Sequence, residues 1–298
     1  MTLSPVVLFV HKRLSHVRQT IEALKKNELA SQSELFVYSD GAKNQSESGD
    51  IDEVREYIRS IDGFKSVTLI ERQKNLGLSK SIISGVTEVV NRYGRVIVLE
   101  DDLVTSPYFL KFMNTALELY RDEPNIASIH GYVYPISDLP DFFFIKGADC
   151  WGWATWKDKW SMFESDAQKL LYKLKKEKKE EEANFNNSYD YVKMLEDCIK
   201  QKNDSWAVRW YMSAFLEDLL TLYPGVSYVQ NIGTDNSGTH CGPSDRFEVK
   251  LNDVDISNNI DLAIQEDLES RRKFELFFHS LKPTVVQRVK SIIRKLFL

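Results

Sequence analysis

The chain has few of the residues and segments that define several large classes of protein. Its 298 residues include only three cysteines, and they lack the spacing of a metal site. An odd, small cysteine count fits a reducing compartment better than a secreted disulfide framework. No apolar run reaches the roughly 20 residues that cross a bilayer, and the N-terminus lacks the basic and apolar segments of a signal peptide. We therefore expect a cytosolic protein.

A net positive charge and the common nucleotide-binding motifs are also missing. The formal net charge is −5, so no overall positive field favours nucleic acid. There is no Walker A string, and no G-x-G-x-x-G follows a predicted strand, which excludes the ordinary NTPase and dinucleotide-binding classes. The hydrophobic content of 43% is enough for a sizeable core, in one large domain or two closely joined ones.

Buried strands alternate with amphipathic helices through the first third of the chain. Runs of branched aliphatic and aromatic residues at 6–10, 35–38, 67–70 and 95–99 predict strands, and helical periodicity follows each of the first three. This alternation predicts βαβ units. The expected fold class is therefore α/β, a mostly parallel sheet flanked by helices.

Three carboxylates, Glu100, Asp101 and Asp102, directly follow the fourth predicted strand. In open α/β folds, ligands bind in the crevice beyond the carboxyl ends of the strands. Adjacent acids repel one another there unless a cation or sugar hydroxyls engage them, and carboxylates suit Mg²⁺ or Mn²⁺ shared with substrate phosphates. The alternative is a solvated acidic loop before a helix that Ser106 and Pro107 would start.

This stretch resembles a known motif. Glu100-Asp101-Asp102-Leu103, followed by Ser106-Pro107-x-Phe109, is similar to the metal-binding motif of GT-A glycosyltransferases, closest to the N-acetylglucosaminyltransferase I type. It is more loosely similar to the bacterial family 2-like inverting sugar transferases. The resemblance covers roughly residues 5–245. It implies a GT-A (Rossmann-like) fold, a nucleotide-sugar donor, UDP-linked by expectation, and Mn²⁺ or Mg²⁺ as cofactor.

The resemblance also suggests roles for residues of the donor half. Asp102 is the expected metal ligand, and Glu100 and Asp101 would face the donor sugar and the ribose. Asp40, at the end of the second strand, would accept the N3–H of a uracil, and Arg13, after the first, would contact base, ribose or diphosphate. The alternatives are an ordinary turn aspartate before a glycine and a solvated strand end.

Lys80, at the start of the helix after the third strand, is a candidate diphosphate contact. Further candidates follow the change of pattern near residue 130. His240, in a Gly- and Ser-rich loop, is a candidate diphosphate contact and also a candidate metal ligand. Trp153 lies in a tryptophan-rich stretch that suits a sugar ring or, alternatively, a core aromatic cluster. Asp204 precedes an aromatic helix. It resembles the segment that carries the catalytic base of the N-acetylglucosaminyltransferase I type, and the alternative is a helix N-cap.

We therefore expect a metal-dependent inverting glycosyltransferase of the hexosyltransferase class. Its acceptor would be a hydroxyl of a glycan or lipid-linked molecule, in bacterial cell-surface polysaccharide synthesis. Residues 1–130 would bind the nucleotide-sugar, 131–245 would form a helical acceptor-binding and catalytic half, and 246–298 a tail. The alternatives are a sugar nucleotidyltransferase, although the glycines typical of that class after the first strand are absent, and a catalytically dead carbohydrate-binding protein.

The end of the tail, residues 283–298, predicts a basic amphipathic helix. Its apolar residues recur on one helical face, and Arg288, Lys290, Arg294 and Lys295 lie largely off that face. Such a helix fits peripheral binding to an anionic membrane, here the inner face of the cell membrane. The alternative is a helix docked on the catalytic domain or on a second subunit.

Overall fold

The computed structural model describes residues 2–235, 245–257, 260 and 262–282. Within these residues eight strands form one sheet: β1 (Val6–Val10), β2 (Glu34–Ser39), β3 (Ser66–Glu71), β4 (Arg95–Glu100), β6 (Ile126–His130), β7 (Phe142–Lys146), β8 (Trp153–Trp156) and β9 (Leu220–Pro224). Two short strands, β5 (Leu103–Thr105) and β10 (Val229–Asn231), pair with each other in an antiparallel ribbon.

The sheet is mostly parallel, in the order β3-β2-β1-β4-β8-β6-β9-β7. Strands β1 to β4 are mutually parallel. Strand β8 runs antiparallel to both β4 and β6, so β6 and its parallel neighbour β9 point the same way as β1 to β4. Strand β7 is antiparallel to β9. The α/β fold expected from the alternating pattern is confirmed.

Helices cover both faces of this sheet. They are α1 (Leu14–Lys25), α2 (Ser48–Arg59), α3 (Leu78–Tyr93), α4 (Phe109–Leu119), α5 (Lys157–Trp160), α6 (Ala167–Glu177), α7 (Glu180–Ala183), α8 (Tyr191–Ile199), α9 (Trp206–Leu216) and α10 (Leu268–Leu281). One core contains residues of α1, α2 and α4, and a second contains residues of α3, α5 and α9. A third contains residues of α6, α8, α9 and α10. Among the helices described here, none has both the length and the apolar character needed to cross a membrane.

The aliphatic runs form strands because the sheet interior needs apolar side chains on both faces. Leu8 and Leu99 pack into the core on the α1 side, whereas Val7 and Val98 pack into the core on the α3 side. All four side chains are essentially inaccessible to solvent. Strands β1 and β4 are therefore fixed in register by packing on both faces, and so are the residues that follow them.

The order of the strands creates a crevice at the end of β1. The chain leaves β1 for β2 and β3 on one side and returns to β4 on the other. The loops after β1 and β4 therefore diverge at a topological switch point, where open α/β sheets bind ligands.

The helix expected to start at Ser106 and Pro107 begins later, at Phe109. The expectation was wrong because the chain stays extended through Thr105, where it pairs with Val229 of β10. Ser106 then accepts the backbone N–H of Tyr108 through its Oγ, at 3.1 Å. His240 and residues 283–298, for which a basic amphipathic helix is predicted, lie outside the described residues.

Candidate functional site

The acidic residues after β4 are bound by an arginine from the loop after β1. The Nη2 of Arg13 donates to the Asp101 carboxylate and, at 2.7 Å, to Oδ2 of Asp102. The backbone carbonyl of Arg13 accepts the N–H groups of His16 and Val17, at 3.1 and 3.0 Å, in the first turn of α1. Arg13 is therefore held at the switch point by the end of one strand and the start of one helix.

The guanidinium is not fully used by these contacts. Its Nη1 is buried and has no hydrogen-bond partner among the described residues. A buried donor that lacks a partner costs free energy, roughly 1–3 kcal/mol. The guanidinium therefore keeps one donor for a further acceptor, and Arg13 would have to turn to reach an anionic group because Nη1 is buried.

Negative charge exceeds positive charge at this strand end. Burial, together with the charges of Asp102 and Asp101, raises the pKa of Glu100 to about 8. Burial and Asp102 also raise the pKa of Asp101, although Arg13 opposes this shift. The raised pKa values show that the clustered carboxylates are under-compensated, so this strand end would be stabilised by a further cation.

The residues fit a hard divalent cation in chemical type. Carboxylate oxygens are the ligands that Mg²⁺ and Mn²⁺ prefer. The Asp102 side chain is the more accessible of the two aspartates bound by Arg13, 18% exposed against 8% for Asp101. No group of three or more His, Cys, Asp or Glu side chains has metal-binding geometry within the described stretches. Asp102 is thus the residue of this strand end best placed to offer a ligand.

The segment after β10 lies directly against Asp102. The N–H of Ile232 donates to the Asp102 carbonyl at 2.8 Å. A Cβ at Gly233 would force the Asp102 carboxylate to move from its place. Two residues on, Asp235 Oδ2 lies 3.2 Å from Nε2 of His16. This segment leads into the Gly- and Ser-rich stretch that contains His240.

Asp40 anchors the loop before α3. Its carboxylate accepts the backbone N–H groups of Leu76 and Gly77, both at 2.9 Å, and the side-chain amide of Asn75 at 3.1 Å. Both of its oxygens are engaged, and the side chain is buried. The predicted uracil contact stays a prediction, and the structure gives Asp40 a role in holding this loop.

Asp204 lies beside the first turn of α3. Its Oδ1 is 2.6 Å from Nη2 of Arg209, and the same nitrogen donates to Ser79 Oγ at 2.7 Å. The Asp204 side chain is 66% exposed, whereas that of Arg209 is 12% exposed. The N-cap of α9 is Ser205, whose Oγ accepts the N–H of Val208, so the N-cap alternative for Asp204 is wrong.

Trp153 lies in the core. It is inaccessible to solvent and stacks on Trp206 with ring centroids 5.5 Å apart, next to Trp160 and Trp210. This arrangement favours the core-cluster alternative over a sugar contact. The tryptophan cluster also fixes the start of α9 against β8, and Asp204 directly precedes that start.

Lys80 lies on the exposed face of α3. It lines an open cavity of about 580 Å³ with other residues of that helix, namely Ile83, Ser84, Thr87, Glu88 and Asn91. Ser79, one residue earlier, is buried and faces Arg209 instead. The predicted diphosphate contact of Lys80 stays a prediction.

Sequence reasoning missed Arg209 and His16. Arg209 connects the starts of α3 and α9, and His16 pairs with the segment after β10. No helical spacing marks the Arg209 pair, because Arg209 follows Asp204 by five positions and Asp204 lies before α9. No local signal marks His16, because its partner is distant in sequence.

The fold and this site together define an α/β protein with an acidic, arginine-bound crevice at the switch point of its sheet. No family model matches the chain, and neither does any curated protein sequence.

Solved structures resemble parts of the fold. One is a mannosyltransferase, PcManGT of Pyrobaculum calidifontis, in complex with GDP-Man and Mn²⁺, with a TM-score of 0.32, 12% identity, and coverage of 44% of this chain and 36% of that one. Another is S. aureus TarS 1–349, with a TM-score of 0.39, 12% identity, and coverage of 76% and 59%. The same TarS fragment in complex with UDP gives a TM-score of 0.31, 14% identity, and coverage of 49% and 41%. The chain covers less than two thirds of the length of each of these structures.

Proposed function

We propose that the protein is a metal-dependent inverting glycosyltransferase. It would move a sugar from a nucleotide-sugar to a hydroxyl of a glycan or lipid-linked acceptor. The observation that carries the proposal is the acidic crevice between β1 and β4, where Glu100, Asp101 and Asp102 face a single arginine. The resemblance of this strand end to the GT-A metal-binding motif supports the same assignment.

The donor-side roles follow from charge. Asp102 would hold the cation, which when bound neutralises the diphosphate leaving group. The unpartnered Nη1 of Arg13 would donate to a diphosphate oxygen. Glu100 would form a hydrogen bond with a hydroxyl of the donor sugar.

The acceptor-side role belongs to Asp204. Inversion needs one base on the face of the sugar opposite the diphosphate. Asp204 is exposed and has one oxygen outside its bond to Arg209, so it is accessible to an acceptor hydroxyl. Such assistance accelerates a reaction by about 10²–10⁴. A glycosidase would need a second carboxylic acid to protonate the leaving group.

The nucleotide and the biological setting rest on the motif resemblance. A uridine nucleotide is proposed through Asp40, and bacterial cell-surface polysaccharide synthesis is proposed as the setting. Peripheral membrane attachment would place the enzyme on the surface that a lipid-linked acceptor shares.

The test is the release of nucleoside diphosphate from a panel of UDP- and GDP-sugars, with Mn²⁺ and with chelator. We expect Mn²⁺-dependent release that Asp102→Asn abolishes. Asp62→Asn is the control, since Asp62 is 88% exposed and pairs only with Lys25 among the described residues. Formation of nucleotide-sugar from a nucleoside triphosphate and a sugar 1-phosphate would show a nucleotidyltransferase. Sugar binding with no product in either assay would show a binding protein.

A further inference from the structure

Arg13 occupies one of the two Asp102 oxygens that could bind a metal ion. Its Nη2 lies 2.7 Å from Oδ2 of Asp102, the more accessible carboxylate of the strand end, and also binds Asp101. A guanidinium between two carboxylates supplies the positive charge that a cation would otherwise supply. The acid site is therefore already partly neutralised by a residue of the chain itself.

A divalent cation and this arginine would compete for Asp102 Oδ2. An oxygen that coordinates a metal loses lone-pair density for the N–H donor, and the two positive charges repel. The Arg13 side chain is only 19% exposed, so water cannot fully replace a lost carboxylate. Arg13 would then keep only Asp101, and another anion within reach would stabilise it.

Arg13 has a donor already available for such an anion. Nη1 is buried and unpartnered among the described residues, on the same guanidinium whose Nη2 holds the carboxylates. A nucleoside diphosphate brings anionic oxygens together with the metal. Binding of the diphosphate would therefore give Arg13 a new anionic partner when the metal weakens its contact with Asp102.

We propose that Arg13 is an internal counter-ion that occupies the acid site without metal and couples the binding of the divalent cation to that of the nucleoside diphosphate. The part that concerns the cation stands on the Arg13–Asp102 contact alone. The part that concerns the diphosphate rests on the proposed function.

This arrangement has a thermodynamic consequence. A cation alone must weaken the Arg13–Asp102 contact and leave Arg13 with Asp101 only, so it binds weakly. A nucleoside diphosphate removes that cost, so each ligand strengthens the other by the same factor. Without the arginine, the cation meets two uncompensated carboxylates, and its binding no longer depends on the nucleotide to the same extent.

The test measures Mn²⁺ affinity from the spin-resonance signal of free Mn²⁺, with no donor sugar and no turnover. We expect Arg13→Ala to bind Mn²⁺ alone about tenfold or more tighter than the wild type. UDP or GDP should increase Mn²⁺ affinity strongly in the wild type and much less in the variant. Arg13→Lys, which keeps the charge but loses the planar fork, should fall between them.

Arg18→Ala is the matched control. Arg18 lies on α1, the helix that follows Arg13, and carries the same charge, but packs over the ring of Tyr57 at 4.8 Å. Its loss should leave Mn²⁺ affinity unchanged. Thermal unfolding with and without Mn²⁺ provides a second readout: Arg13→Ala should be less stable than the wild type without metal and should gain more from Mn²⁺.

Equal or weaker Mn²⁺ binding by Arg13→Ala would overturn the inference, as would the absence of Mn²⁺ binding in both proteins. The outcome is separable from the proposed function. If Arg13→Ala tightens Mn²⁺ binding but no nucleotide-sugar is consumed, the counter-ion role stands and the transferase assignment fails. If nucleotide-sugar is consumed but Mn²⁺ affinity does not respond to Arg13, only this inference fails.

Discussion

Asp40 and Asp102 both follow buried strands, but their carboxylates have different hydrogen-bond partners and different exposure. Both oxygens of Asp40 accept N–H groups of the loop before α3. Asp102 faces one guanidinium and keeps accessible surface. The same residue type after a strand is therefore an anchor in one place and a ligand candidate in the other.

Replacement of Asp40 by asparagine should lower the free energy of unfolding by about 1–3 kcal/mol. An amide offers one acceptor oxygen, so Leu76 N–H, Gly77 N–H and the Asn75 amide would compete for it. Chemical denaturation measures the change, with Asp62→Asn as the exposed control. An unchanged midpoint, combined with weaker UDP binding, would instead assign Asp40 to the nucleobase.

His130 should make stability depend on pH. Burial lowers its pKa below the ordinary 6.5, and its Nε2 accepts the Trp151 N–H at 3.0 Å, which requires the neutral ring. The unfolded chain takes up a proton more readily, so this contribution is complete above pH 6.5 and is lost as pH falls through the lowered folded pKa.

The check is the free energy of unfolding between about pH 5 and 8. The wild type should lose stability below pH 6.5, and His130→Gln should lose much less of it with pH. His279→Gln, at an exposed position of α10, is the control and should keep the wild-type slope. A wild-type slope in His130→Gln would contradict the assignment.

At the scale of elements, the strands were more predictable than the boundaries around them. The runs at β1, β2, β3 and β4 were evident because a doubly covered strand must be aliphatic throughout. The start of α4 was not, because β5 stays extended by pairing with β10, more than a hundred residues later. No local pattern encodes that partner.

The start of α9 is the element on which the proposed chemistry depends. Trp206 fixes it against Trp153, and Arg209 ties it to Ser79 of α3. Asp204→Asn keeps the size of the side chain and removes the base. We expect kcat to fall by about 10²–10⁴ while nucleotide-sugar affinity measured by calorimetry stays near that of the wild type. Loss of donor affinity would place Asp204 in the donor site or in the fold.

At the scale of the whole molecule, the site is assembled by topology. Arg13 and Asp101 are 88 positions apart and meet because β1 and β4 are neighbours. The acidic motif and the strand end after β1 were each recognisable in the sequence. Their direct ion pair was not recognisable, because each charged group could equally have been solvated.

The tail adds a prediction at the same scale. We propose that residues 283–298 attach the protein to anionic membranes. Their removal should release the protein from anionic liposomes at low salt and leave donor hydrolysis unchanged. Each basic residue near such a surface contributes about 1 kcal/mol, so the binding should weaken as salt rises. Full-length protein that fails to co-sediment at low salt would leave the docked-helix alternative.

The central claim is that a divalent cation and a nucleoside diphosphate meet at the strand end between β1 and β4. The most direct measurement is a crystal structure with Mn²⁺ and UDP, in which anomalous scattering locates the metal. We predict an anomalous peak in coordination with the Asp102 carboxylate, and Arg13 turned from Asp102 towards the diphosphate. A bound nucleotide with Mn²⁺ located away from Asp102, or with Arg13 still on both carboxylates, would contradict the account.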